Sequence, residues 1–184
     1  MSARVLALLL ACGVVGNSPA SAMADDALTI LAEDANVKTT GGKLQPAESA
    51  ERGWNLWNNG ELGDYVKFLT GGTYTITVRA GGTPAKGAWP LMAIRLDGRQ
   101  IGEALSVERK GLNDYVFQVA AAAGTHRVTV AFLNDAAVPD PAKPGSWLED
   151  RNLFVIRIVI QSGTGGKTPV LANFDDFPKE DAMQ

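Results

Sequence analysis

The stretch Thr73-Tyr74-Thr75-Ile76-Thr77-Val78-Arg79-Ala80 alternates between polar and apolar side chains. Tyr74, Ile76 and Val78 fall on one side and Thr73, Thr75, Thr77 and Arg79 on the other, the period of a strand with one face against a core. The alternation returns in HRVTVAFL (126–133), where His126, Val128, Val130 and Phe132 oppose Arg127, Thr129 and Ala131. Shorter versions occur in DYVKFL (64–69), LMAIRLDG (91–98) and DYVFQVA (114–120). NLFVIRIVI (152–160) is almost continuously apolar, as a strand buried on both faces would be. With weaker runs near the start, about seven strands are expected.

Turn formers separate these runs: Gly71-Gly72, Gly81-Gly82 with Pro84, Asp97-Gly98, Gly111 and Gly124. No segment beyond the first two dozen residues sustains a helical period, and VAAAAG (119–124) is too short for a helix. The expected fold is all-β, a β-sandwich of antiparallel strands. Beyond Ile160 the composition changes to a Gly-rich start and an acidic end, which predicts a linker and tail over 161–184.

The chain opens with Arg4, an apolar run from Val5 to Val15, and small residues at Ala20, Ala22 and Ala24. This is the pattern of a secretory signal peptide over 1–24, too short to span a bilayer, followed by a domain over 25–160. The expected product is secreted or periplasmic, with no membrane insertion. Cleavage removes Cys12, the sole cysteine of the 184 residues, and with it any disulfide. A second possibility is that Leu9-Leu10-Ala11-Cys12 works as a lipobox, with a lipid anchor at Cys12 holding the protein at the cell envelope. The net charge of −3 and the lack of a basic cluster argue against nucleic acid as a partner and favour a neutral ligand.

Several chemistries lack their residues. One histidine, His126, stands at the head of a strand and reads as a strand-end surface residue rather than part of a nucleophilic triad. Cys/His zinc sites have no ligands, and no phosphate-binding Gly loop is present. Acids are available for a small glycoside hydrolase: Glu61, Asp64, Asp140 and Glu149.

The acids beside the Pro-rich segment are arranged differently. Asp135 follows the strand VTVAF and Asp150 precedes NLFVI, so neighbouring strands would bring both carboxylates to one edge of the sandwich. Converging carboxylates repel unless a positive group lies between them. Lys143 and Arg151 could serve as ion-pair partners, or a hard cation such as Ca²⁺ could sit among the oxygens. Spacing alone leaves both open. All four tryptophans sit in Gly-, Pro- or Asn-rich segments. Trp54 and Trp57 are expected to plug an end of the sandwich, whereas Trp147 or Trp89 would offer a flat apolar face on which a sugar ring stacks.

AFLND (131–135) followed after a loop by EDRNLFV (149–155) resembles the signature of the calcium-dependent xylan-binding family of carbohydrate-binding modules. LAEDA (31–35), WNLWNNGELGDYVKF (54–68) and GGTYTITVRAGGTPAKGAWPLMAIRLDG (71–98) agree, so the resemblance covers roughly Leu28 to Ile160. It implies a jelly-roll β-sandwich that binds a polysaccharide or oligosaccharide through calcium contacting vicinal sugar hydroxyls. Carried over by position, Asp135 and Asp150 would be the carboxylate ligands, with carbonyls of the segment 138–149 completing the shell. Asn134, Arg151 and Asn152 would support them, and Glu149, Trp147 and Trp89 would lie near the glycan. Related modules often hold a second, structural calcium between the early Glu and an Asp in the last strand. Here Ile156 and Arg157 stand where that acid is expected, so Glu33 is expected to pair with Arg157 instead. The resemblance thus implies an exported, non-catalytic binding protein, against the alternatives of an adhesive cell-surface sandwich and a small hydrolase.

Overall fold

Tyr74, Ile76, Val78 and Ala80 are buried, and the polar residues between them are not, as their alternation requires. The computed structural model describes residues 27–44, 51–108 and 111–173; the expected signal peptide with Cys12 and the last part of the acidic tail lie outside them. Among the described residues there are fourteen strands and no helix. One sheet comprises β1 (Leu28–Leu31), β3 (Gly42–Leu44), β4 (Gly53–Leu56), β6 (Gly72–Thr83), β9 (Asn113–Ala121) and β13 (Asn152–Ser162). Its order is β3-β4-β13-β6-β9, with β1 also on β13. The other comprises β2 (Val37–Lys38), β5 (Gly60–Phe68), β7 (Leu91–Leu96), β8 (Arg99–Ser106), β10 (Gly124–Phe132) and β14 (Val170–Leu171), in the order β14-β5-β10-β7-β8 with β2 also on β5. β11 (Ala137–Pro139) and β12 (Trp147–Asp150) form a separate hairpin. Every pairing is antiparallel, and the two large sheets make a jelly-roll β-sandwich.

The core lies between the sheets. Leu62, Val66 and Phe68 of β5, Met92 and Ile94 of β7, and Val128, Val130 and Phe132 of β10 meet Ile76 and Val78 of β6, Phe117 and Val119 of β9, and β13. Strand count exceeds the expected seven because β2, β3, β11, β12 and β14 are too short to show a period, and because the largely exposed β8, RQIGEALS, has no apolar alternation. The Asp97-Gly98 turn is a two-residue hairpin between β7 and β8 with positive φ at both positions (50° and 76°), the geometry that Asp-Gly favours.

The continuous apolar run of β13 has a different cause from the expected burial on both faces. The register against β6 shifts between Val155 and Arg157, so Ile156 is a bulge residue. The bulge reverses parity: Leu153 and Val155 before it and Ile158 and Ile160 after it all face the core. Ile156 is buried outside that cluster, its Cδ1 lying close to Gly53. The expected Glu33–Arg157 pair is also corrected. Arg157 bonds Glu51, which Arg79 approaches at 3.5 Å, while Glu33 faces Arg52 at 3.8 Å. The chain expected to be a linker beyond Ile160 continues β13 to Ser162 and returns as β14 against β5.

Close backbone approach decides one position in the sandwich. A Cβ at Gly63 would run into the Val128 carbonyl of the neighbouring strand, a contact that only backbone movement relieves. Gly63→Ala is therefore expected to destabilise the fold by about 3 kcal/mol, read as a lower urea midpoint; an unchanged midpoint would show that β5 and β10 can part freely.

Candidate functional site

β10 ends at Phe132, and the next residues, Leu133, Asn134 and Asp135, leave the sheet at its rim. The chain then turns out into the β11–β12 hairpin, in which Ala137 pairs with Asp150. The Arg151 N–H donates to the Ala136 carbonyl at 2.9 Å, so the two lips carrying Asp135 and Asp150 are tied side by side. The Pro-rich segment is therefore an ordered hairpin. Its tip is closed by Asp140, whose carbonyl and side chain accept from Lys143 N at 3.3 Å and Ala142 N at 2.8 Å.

Arg151 is the fastener of this region. Its guanidinium is buried and donates to three carbonyls: Ala88 (3.0 Å, from Nε), Asn134 and Ala85. Asn134 reinforces the same junction, accepting from Leu91 N at 2.7 Å and donating to the Trp89 carbonyl at 3.0 Å. Thr83 Oγ1 donates to the Asp150 carbonyl at 2.6 Å. These bonds fix the backbone from which the two acids project.

A cavity of about 470 Å³ opens there, lined by Asn55, Trp57, Asn58, Asp135, Trp147 and Asp150, with Ala137 and Asn152. Three of its oxygens are buried without a hydrogen-bond partner: Asp135 Oδ1, Asn55 Oδ1 and Asn152 Oδ1. Asn152 Nδ2 donates to Asp150 Oδ2 at 2.9 Å, which fixes the amide and leaves its oxygen free. The Asn58 amide, turned so that its nitrogen faces the acceptors beside it, donates to the Trp57 carbonyl and, at 3.2 Å, to Asp135 Oδ2. Asn59 Oδ1 accepts from Asp135 N at 2.7 Å. Burial first, then the charge of Asp150, pushes the Asp135 carboxyl above its ordinary value of 3.8, against the Ala136 N–H and Arg151.

Each unsatisfied buried oxygen costs about 1–3 kcal/mol, so three around one cavity are expensive unless something fills it. Two carboxylates and two amide oxygens form a hard, all-oxygen donor set with charge −2, which suits a divalent cation of the calcium type and neither zinc nor copper. The ion-pair alternative is not realised. Among the described residues, no ion pair within 4.0 Å joins either acid to Lys143 or Arg151.

The tryptophans divide unexpectedly. Trp147 and Trp57 are 56% and 46% exposed and line the cavity together. Trp54 packs against the core, its Nε1 donating to the Thr40 carbonyl at 2.7 Å and Lys38 resting over its ring. Trp89 and Glu149 do not line the cavity; Glu149 instead accepts from Lys86 N. Nor does any of Glu61, Asp64 or Asp140. Asp64 is buried, accepting from Asn36 N at 3.1 Å and Tyr65 N at 2.8 Å, and Glu61 is held by Arg95, Arg127 and Thr129. His126 pairs with Asp97 at 2.7 Å, far along the sheet from Asp135.

Sequence reasoning missed Asn55, Trp57 and Asn58. A period-two pattern was available in Trp54-Asn55-Leu56-Trp57: Trp54 and Leu56 turn to the core, which sends Asn55 and Trp57 to the other face together.

Solved structures similar in fold include carbohydrate-binding modules. The C-terminal CBM6 of LamC, a marine laminarinase from Zobellia galactanivorans, matches with a TM-score of 0.53 and 18% identity, over 74% of this chain and 100% of that one. The CBM36-1 domain of a multidomain xylanase from the hindgut metagenome of Trinervitermes trinervoides matches with a TM-score of 0.52 and 14% identity, over 75% and 98%. A family 35 module from an environmental isolate matches with 0.53 and 12%, over 79% and 97%. At these identities the likeness is one of fold. A comparison with curated proteins finds no match. The sequence profile described as "Ca-dependent carbohydrate-binding module xylan-binding" matches residues 75–170, more than half of the chain and all of the segment from Asn134 to Asn152. The chain thus belongs to the calcium-dependent, xylan-binding family of carbohydrate-binding modules, CBM60.

Proposed function

We propose that this protein is a non-catalytic, exported module that binds xylan-like polysaccharide through a Ca²⁺ held by Asp135 and Asp150. The observation that carries the proposal is the set of three unpartnered buried oxygens around one cavity, flanked by two exposed tryptophans. Asn55 and Asn152 supply further oxygen ligands. Calcium takes six to eight oxygens, so positions remain for two vicinal hydroxyls of a sugar in place of water. With the cation's charge balanced by two aspartates, the site is neutral overall and suits an uncharged diol. Trp57 and Trp147 give the pyranose rings flat apolar faces. Export rests on the leader-like residues 1–24, and the first residue of the secreted protein, read by mass spectrometry, tests it against an anchor at Cys12.

The direct test is calorimetric titration of xylo-oligosaccharide with calcium and with chelator. Binding that survives chelation sinks the proposal. Trp57→Ala is expected to weaken glycan binding about tenfold or more while calcium affinity stays unchanged, because the ring touches sugar and not metal. Equal loss of calcium affinity would show that Trp57 shapes the metal site itself.

A further inference from the structure

A second cavity, of about 320 Å³, lies on the same rim, lined by Thr39, Asn59, Glu61, Arg95, Arg127 and the end of β10. The β-ladders place Glu61, Thr129, Arg127 and Arg95 on one outward face: Glu61 sits opposite Ala131, Gly63 opposite Thr129, and Thr129 opposite Arg95. Glu61 is saturated. One carboxylate oxygen is taken by Arg95 and the other by Arg127 Nη2 at 3.0 Å and Thr129 Oγ1 at 2.9 Å. Two guanidiniums thus share one carboxylate, leaving an excess positive charge on side chains about one-third exposed or less. Each guanidinium has five N–H donors, and Arg95 Nε is buried with no partner.

This cavity and the tryptophan-lined one are separated by one turn. Asn58 lines the first and Asn59 the second, and Asn59 also binds the Asp135 N–H. Leu133, in the wall of the arginine cavity, is two residues from Asp135. The Asn58-Asn59 segment and the end of β10 thus connect the walls of the two cavities at the rim.

We propose that Arg95 and Arg127 form an anionic subsite that takes the carboxylate of a uronate side group on the same glycan, an inference that rests on the calcium-dependent glycan site. The planar, forked donors of arginine match a carboxylate's two oxygens, and the enclosed setting spares the interaction part of its screening by salt. The site so built separates acidic xylan from neutral xylan by contacts independent of the calcium.

Three probes test this in the presence of calcium: a neutral xylo-oligosaccharide, the same chain bearing glucuronate, and that chain with its carboxyl reduced to the alcohol. The uronate-bearing chain is expected to bind the wild-type protein about tenfold or more tightly than the other two, with the difference shrinking as salt rises. Arg95→Gln and Arg127→Gln abolish the difference and leave neutral binding as it was. Glu61→Gln, which frees both arginines, widens it. Equal binding of all three probes by the wild type overturns the subsite alone, and so does a preference that survives both arginine substitutions. Binding of none of the three overturns the calcium-diol site as well. Should an arginine variant fold poorly, the wild-type salt titration and Glu61→Gln still decide the matter.

Discussion

Replacing Asp135 by Asn is expected to abolish calcium-dependent glycan binding while leaving the metal-free fold as stable as before, or more so. The Asp135 carboxyl is pushed above 3.8 by burial and by the charge of Asp150, so the charged form is disfavoured in the folded chain. A group raised in this way contributes stability that is fully present below its unfolded value and is lost as pH rises through its folded value. At neutral pH the metal-free protein therefore bears the cost of a partly buried Asp135 carboxylate, which Asn removes. Calcium reverses the balance, because the cation stabilises the charged form and the ligand set needs it. Loss of a carboxylate ligand is expected to weaken calcium by roughly 100-fold or more, beyond the loss typical of supporting residues. Calcium titration and thermal melting with chelator, run side by side, measure both quantities. A variant that melts lower without metal and keeps its calcium would contradict the assignment. Lowering the pH of the wild type acts in the same direction, because protons compete with calcium for the Asp135 carboxylate.

Arg151→Ala has the opposite profile, with stability lost first and binding lost as a consequence. Its buried guanidinium joins the 85–88 turn, the end of β10 and the start of β13 through the carbonyls of Ala85, Ala88 and Asn134. Truncation leaves the Asn134 carbonyl without a donor, takes the second donor from the Ala85 and Ala88 carbonyls, which keep each other's N–H, and removes a positive charge that acts on Asp135. The expected loss is about 3–5 kcal/mol, read as a large drop in the denaturant midpoint with and without calcium. Arg151→Lys rescues little, since one ammonium cannot address three diverging carbonyls. If Arg151→Ala kept its midpoint and lost only calcium affinity, Arg151 would be part of the binding site rather than its frame.

How much could be read from residues alone varied with the range of the interaction. Period-two alternation located β6, β10 and the outer part of β7 because a half-buried strand writes its environment into every second residue. The same rule failed on β13, where Ile156 bulges and changes the parity of the apolar set. It was applied too coarsely to Trp54–Trp57, so Trp57 was expected to plug the sandwich when it lies on the cavity. Glu33 was matched to Arg157 by family position. The actual partner, Glu51, lies more than a hundred residues from Arg157 along the chain, a pairing that no local pattern signals.

By itself, the sequence determined the all-β class, the strands with strong alternation, the lack of residues for triad and zinc chemistry, and the two acids flanking one Pro-rich loop. Those features depend on residue type and near neighbours, which the chain displays directly. Only the tertiary structure decided that Asp135 and Asp150 share a cavity, that Asn55 and Trp57 from β4 and its flank join them, and that Arg151 binds carbonyls rather than acids. Those outcomes depend on which distant strands are neighbours in the sheets. The order β3-β4-β13-β6-β9 places β4 beside β13, and so carries Asn55 to within reach of Asn152 across nearly a hundred residues of chain.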